Sequence, residues 1–346
     1  MSMSLRGSAR SKAIQQSEAI PIGVASIKLD LMLIERVNRM NSTELTNYIK
    51  MKATEIGFDL IGITDSKNHL YSDFLRQWVH RKFSAEMQWI RNSIAKRLDI
   101  AKVMKECESI IVVGENYYRK KDDHYYGQIA RYAASTDYHK RMKKKLLLLG
   151  ENLKQVTDDC RYKVYVDSGP VMEKLWAMKA GIGWMGKHTL IINSLLGSWL
   201  CFGVVLLNKE LIYDQPVRAL CGNCTKCMDA CPTGAITAPY VLDASRCVSY
   251  LNQYTAEIPR HFQDSLQGYF FGCDICQEVC PWNKHAILCT MPDKSLPVTY
   301  SREELLELLL LTQQDFILRF GGYPVSKIKL AGLIKNINCI LSGSNT

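Results

Sequence analysis

A regular pattern of polar and apolar positions begins near Met40. STELTNYIKMKATEI predicts a helix over 42–56, with Ser42 as its cap, Glu44 in the first turn and Gly57 as its stop. The short apolar run LIGIT follows as a strand. A second strand starts at Ser109 in SIIVVGENYY, and YHKRMKKKLLLLGENLKQV reads as a long helix with a basic first half. YKVYVD is a third strand. SGPVMEKLWAMKAG is a helix with Pro170 in its first turn and Gly181 at its stop, and SWLCFGVVLL is a fourth strand. Strands separated by helices predict an α/β (α+β) domain over 41–215. SREELLELLLLTQQDFILRF predicts a closing helix with a capping box, Ser301 with Glu304. Residues 1–40 are expected to be a disordered extension, 216–290 a cysteine-rich unit, and 291–346 a helical segment packing on the core.

A length of 346 residues, 47% apolar and 23% charged, suits two or three globular domains. No run approaches the roughly 20 apolar residues that cross a bilayer, so a membrane role is not expected. The net charge of +10 fits a polyanionic partner such as nucleic acid, although many basic proteins bind none. Thirteen cysteines in a long chain that opens on polar, basic residues suggest a reducing intracellular location, with thiols serving as metal ligands.

Cys221, Cys224, Cys227 and Cys231, followed by Pro232, have the C-x2-C-x2-C-x3-C-P spacing of bacterial ferredoxins, in which the fourth cysteine ligates the other cluster of a pair. Cys273, Cys276 and Cys280, followed by Pro281, form a second run one ligand short, and Cys247 is the available substitute. The crossed assignment gives Cys221, Cys224, Cys227 and Cys280 to one 4Fe–4S cluster and Cys231, Cys247, Cys273 and Cys276 to the other. Structural zinc or disulfides are the alternatives, but zinc needs only four ligands per site, usually in two pairs with a longer spacer. Cys107, Cys160, Cys201, Cys289 and Cys339 are left as buried apolar thiols. Two neighbouring clusters make an electron relay, and the α/β domain in front of them suggests a cofactor for it to feed. No GxGxxG opens a βαβ unit, so a dinucleotide site is not indicated.

VDSGPVMEKLWAMKAGIGWMGKHTLIIN, CGNCTKCMDACPTGAI, RCVSYL, FGCDICQEVCPWN and ARYAASTDYHK, in this order-specific set, resemble the epoxyqueuosine reductase family from about Met40 nearly to the C-terminus. The resemblance implies a cobalamin-binding core like that of reductive dehalogenases, a ferredoxin-like two-cluster domain and C-terminal helices. It implies reduction of epoxyqueuosine to queuosine at wobble position 34 of tRNA, the last step of queuosine biosynthesis. The partners implied are cytoplasmic tRNAs with a GUN anticodon (Asp, Asn, His, Tyr) and an external one-electron donor of unknown identity, with the enzyme a monomer. Some members carry a C-terminal helical-repeat extension that is not found before Thr346.

By the same resemblance Asp167 is the proton donor and a cobalamin neighbour, with capping of the following helix as the plain alternative. Asp137, Tyr138 and His139 belong to the substrate pocket, unless Asp137 only caps a helix. Lys187, His188, Ile191, Phe202 and Ser249 are expected at the cobalamin, with core packing the competing role for Ile191 and Phe202. HKRMKKK is either tRNA-facing or a solvated helix face. A dehalogenase-like enzyme acting on a small molecule and a bare electron-transfer module are the competing functions.

Overall fold

The computed structural model describes residues 40–67, 72–290 and 295–343. The extension expected before Met40 lies outside the described residues. Four strands, β1 (Leu60–Asp65), β2 (Ser109–Asn116), β3 (Tyr162–Tyr165) and β4 (Leu200–Leu207), form the main sheet in the order β1-β2-β4-β3. Every neighbouring pair is antiparallel, so the core is the α+β form of the expected mixed architecture.

Alternation along the strands decides what each face covers. Ile111, Val113, Val205 and Leu207 pack on helices α1 (Ser42–Ile56) and α2 (Tyr138–Val156) through Ile49, Ala53, Leu146 and Leu149. Ile110, Val112, Val204 and Leu206 face the other way, onto Trp176 and Ala177 of helix α3 (Glu173–Lys179). Both faces of β2 and β4 are covered, which is why their sequences are continuous apolar runs.

Helix boundaries follow local chemistry more closely than apolar spacing. Asn41, not Ser42, caps α1, because Glu44 stands three residues after Asn41 and closes a capping box with it. Gly57 ends that helix in the left-handed region at φ 89°. Pro170 precedes α3 instead of entering its first turn; the chain bends through 167–170 before the helix starts. The single closing helix expected from Ser301 is divided. Thr312 opens a second capping box with Asp315, giving α5 (Arg302–Leu309) and α6 (Gln313–Phe320), after helix α4 (Val248–Tyr254). Helix α7 (Lys329–Gly343) completes the described chain.

Val248, Ile258 and Phe270 share one apolar cluster with Tyr300, Phe316, Phe320 and Leu333. The C-terminal helices therefore bury the same core as the segment between Cys247 and Cys273.

Candidate active site and thiol centres

Just beyond β3 the backbone places Asp167 at φ 50°, a conformation that costs an ordinary residue on the order of 1–3 kcal/mol unless its neighbours enforce it. Three of them do. The Asp167 amide donates to Glu173 Oε1 at 3.0 Å, and the Tyr138 hydroxyl donates to Asp167 Oδ2. Arg97 donates to the carbonyls of Val171 and Gly169 at 3.1 and 3.3 Å, fixing the next residues. Gly169 is required there, since a Cβ would lie 2.0 Å from the Tyr165 ring. Asp167 does not cap α3, which begins only at Glu173 with Met172 in the cap position. Its exposed carboxylate is thus held by a turn built for it. Glu173 below is buried, and burial together with the Asp167 charge pushes its carboxyl up to about 8.

Asp137 takes the capping role expected as the alternative, with Tyr138 and His139 packed beside it. Asp137 caps α2 by accepting from the His139 amide at 3.1 Å, and the same oxygen lies 2.6 Å from His139 Nδ1. Burial opposes ionisation of Asp137, yet the bonds and charge of His139 outweigh it and the net shift is downward. Tyr138 stacks on His139 with centroids 4.0 Å apart. Burial first, then the Asp167 charge, drives the Tyr138 phenol well above its usual range, so it remains an O–H donor.

Ser249 joins this group through an intermediary. Gln253 donates to Ser249 O and Oγ, both at 2.9 Å, and accepts from the Tyr132 hydroxyl at 3.3 Å. The Tyr132 ring meets Tyr138 edge-on.

Four participants are not distinguished by the sequence. Glu173 and Arg97 support the Asp167 turn. Cys201, expected as a core thiol, packs on the apolar cluster beneath α1 and α2, and its thiol is raised first by burial and then by the charge of Asp167. Lys174 is exposed and its charge acts on Cys201, His188 and Cys247. Cys201 was legible in one respect: it alternates with Phe202 along β4, so the two must face opposite sides.

Lys187 and His188 lie at the first thiol group. Lys187 Nζ donates to the carbonyls of Gly222 and Cys224 at 2.7 and 2.9 Å. His188 is buried; burial and the Lys174 charge push its ring down to about 4. Its Nδ1 accepts from the Leu190 amide at 3.2 Å, and its buried Nε2 has no hydrogen-bond partner in the structure. Ile191 and Phe202 are buried with Trp176 in the apolar layer on the α3 side of the sheet.

Four of the motif thiols, those expected at the first cluster, share one cavity. Cys221, Cys224, Cys227 and Cys280 line one cavity of ≈ 270 Å³ together with Lys187, His188 and Trp282. Burial pushes Cys227 up to about 11, and the charges of Cys280, Cys221 and Cys224 add to it. Burial drives Cys276 well up, with Cys247, Asp274, Cys231 and Cys227 contributing, while Cys273 is raised by burial, Cys276 and Cys247. Among the described residues no three candidate ligands converge closely enough for a lone ion. The first quartet surrounds a cavity, and the spacing of both runs is that of thiolates holding 4Fe–4S clusters. The residues present therefore fit two four-iron cubanes.

The basic run on α2 is divided between interior and surface. Arg141 and Lys145 turn inward to the buried Glu115 at 2.9 and 2.7 Å. Lys140, Lys143 and Lys144 are exposed. Among the described residues, no helix is long and apolar enough to cross a membrane.

Comparison with known proteins agrees with this geometry. Residues 220–283 match the 4Fe-4S double cluster binding domain, and residues 97–168 match the family described as epoxyqueuosine reductase QueG, DUF1730. An epoxyqueuosine reductase from Leadbetterella byssophila is 37% identical over 302 residues, covering 84% of this chain and 96% of that protein. A solved epoxyqueuosine reductase with a tRNA-Tyr epoxyqueuosine-modified stem loop superposes with a TM-score of 0.81 at 29% identity, covering 88% of this chain and 82% of the other. A Bacillus subtilis epoxyqueuosine reductase, whose aspartate catalytic loop is swung out of the active site, superposes with a TM-score of 0.81 at 28% identity and the same coverage. The thiol pattern, the fold and these likenesses converge on an oxidoreductase: the chain belongs to the epoxyqueuosine reductase family.

Proposed function

We propose that this protein reduces epoxyqueuosine to queuosine at wobble position 34 of tRNAs with a GUN anticodon, using cobalamin and two 4Fe–4S clusters, with Asp167 as proton donor. The observation that carries this reading is the Asp167 turn: an exposed carboxylate held in a left-handed conformation by Glu173 and bonded by Tyr138. A surface residue with no task has no reason to be fixed so firmly. Family membership and the basic surface support tRNA as the substrate. In the polar wall beside Asp167, Tyr132, Gln253, Ser249 and Lys174 suit the amide-fringed corrin.

When bound, the cobalt supplies low-potential electrons delivered singly by the clusters. Overall, the epoxide takes up two electrons and two protons, both C–O bonds break, and an alkene and water result. This chain's part is proton delivery and position. Asp167 gives a proton to the departing oxygen through the carboxyl oxygen that Tyr138 leaves open. Tyr138 stabilises the carboxylate so formed. The donor outside the chain passes one electron at a time, and one monomer acting in the cytoplasm on one tRNA is sufficient for this scheme.

Anaerobic turnover tests it. Protein reconstituted with iron, sulfide and cobalamin, given a chemical reductant and epoxyqueuosine-containing tRNA, is expected to yield queuosine in the digested nucleosides. Asp167→Asn should bind cobalamin and lose at least about a hundredfold in rate, the scale of a lost general acid. An epoxide that survives reduced, cobalamin-loaded wild type would refute the substrate assignment.

A further inference from the structure

We propose that Trp89 and Tyr254 form a stacking platform for unpaired bases of the tRNA anticodon loop, flanked by exposed cations of the segment from Arg76 to Lys96. This deepens the function proposed above and rests on it for the identity of the RNA.

Trp89 and Tyr254 are 47% and 53% exposed, although both are large apolar rings. They come from distant parts of the chain, the short helix Gln88–Asn92 and the end of α4, and meet with centroids 5.4 Å apart. Behind them the buried Tyr250 stacks on Tyr254 at 5.5 Å and 19°, and its hydroxyl accepts from the Glu86 amide at 3.0 Å. The platform is therefore fixed from below and open above. Its neighbour in sequence, Gln253, bonds to Tyr132 in the catalytic pocket, so the rings stand at the rim of that pocket. Burial and the charge of Asp167 both raise the Tyr254 phenol, as that closeness requires.

Charge complements shape. Residues 76–97 contain six Lys and Arg and one acid, Glu86. Arg91 and Arg97 are engaged in fixing the segment, while Arg76, Arg81, Lys82 and Lys96 are exposed. Exposed rings and exposed cations of the same segment suit a single-stranded loop, whose bases stack on aromatic faces while its phosphates meet Lys and Arg. An unstacked base delivered to Asp167 leaves its loop neighbours without partners, and the platform replaces those stacking contacts.

The test uses the cluster- and cobalamin-loaded protein and an unmodified, fluorescein-labelled tRNA-Tyr anticodon hairpin read by anisotropy. Trp89→Ala and Tyr254→Ala should each weaken binding about 5- to 100-fold, with Trp89→Phe retaining most of the affinity. Their salt dependence should stay that of wild type, whereas Arg81→Gln with Lys82→Gln should lower it by roughly 0.7 per charge removed. Cluster absorbance and circular dichroism identify any variant that has not folded, and Trp89→Phe then decides the matter. Wild-type affinity in the alanine variants, or a wild type that does not bind the hairpin, overturns the platform. So does loss of cobalamin binding with RNA affinity intact, which would assign the rings to the corrin. Hairpin binding that depends on both rings, with no epoxide turnover, would overturn the substrate assignment and leave the platform standing.

Discussion

One hydrogen bond of 3.0 Å couples an exposed carboxylate to a buried one, from the Asp167 amide to Glu173 Oε1. Burial and the Asp167 charge keep Glu173 protonated to about pH 8, well above the ordinary glutamate value of 4.5. The direction of its linkage follows: the stabilisation is full below the unfolded value, declines as pH rises towards 8, and is gone above it. Glu173→Gln keeps an acceptor and has no proton to lose, so the variant should show a flatter loss of thermal stability between pH 5 and about 8 than wild type. A stability profile identical to wild type over that range would remove Glu173 from the turn's energetics. Asp167 was visible in the sequence only through family resemblance; its residue type alone favoured a cap. Glu173 was not singled out in the sequence, because nothing there reports which side of a short helix the sheet will cover.

Among the elements, those set by covered faces were legible and those set by side-chain bonds were less so. All four main strands and α1 and α2 appear where apolar spacing puts them. The antiparallel order was not readable, since intervening helices suit either sense of pairing. Asn41 and Thr312 show what spacing misses: each owes its place to an acid three residues on, and Thr312 divides a continuous apolar run into two helices. Gly150 in α2 gives a test at this scale. Alanine in a helix interior ordinarily gains about 1 kcal/mol over glycine. Here the added Cβ would stand 2.2 Å from Cζ of Tyr162, whose hydroxyl donates to Glu151 at 2.6 Å. Displacing that ring outweighs the propensity, and Gly150→Ala should lose about 1–3 kcal/mol in chemical denaturation. A gain in stability would mean that the ring swings aside at no cost.

Over the whole molecule, the assignment we propose has each cysteine run send one ligand to the other's cluster. Cys280 packs with Cys221, Trp184, Ile192 and Trp282, so the end of the second run lies on the first run's group. Cys280→Ser should therefore impair the cluster that also uses Cys221, Cys224 and Cys227, and Cys231→Ser the other one. Iron analysis should fall by about half in each, with complementary residual EPR signals from the reduced proteins. Identical residual signals would contradict the crossing. The expectation of a crossing came from the sequence because ferredoxin spacing is a geometric rule. The pocket wall was not legible there, since Tyr132, Lys174 and Gln253 carry no spacing rule and are assembled only by the fold.

Helix α4 begins directly after the thiol of Cys247, presents Ser249 and Gln253 to the pocket, and ends at the exposed ring of Tyr254. Seven residues rising about 1.5 Å each make a rod of roughly 10 Å. The Cys247 thiol and the surface ring are the two ends of one short lever, and Tyr132 bears on it near the outer end. A displacement imposed at either end has too little length over which to dissipate and must be felt at the other.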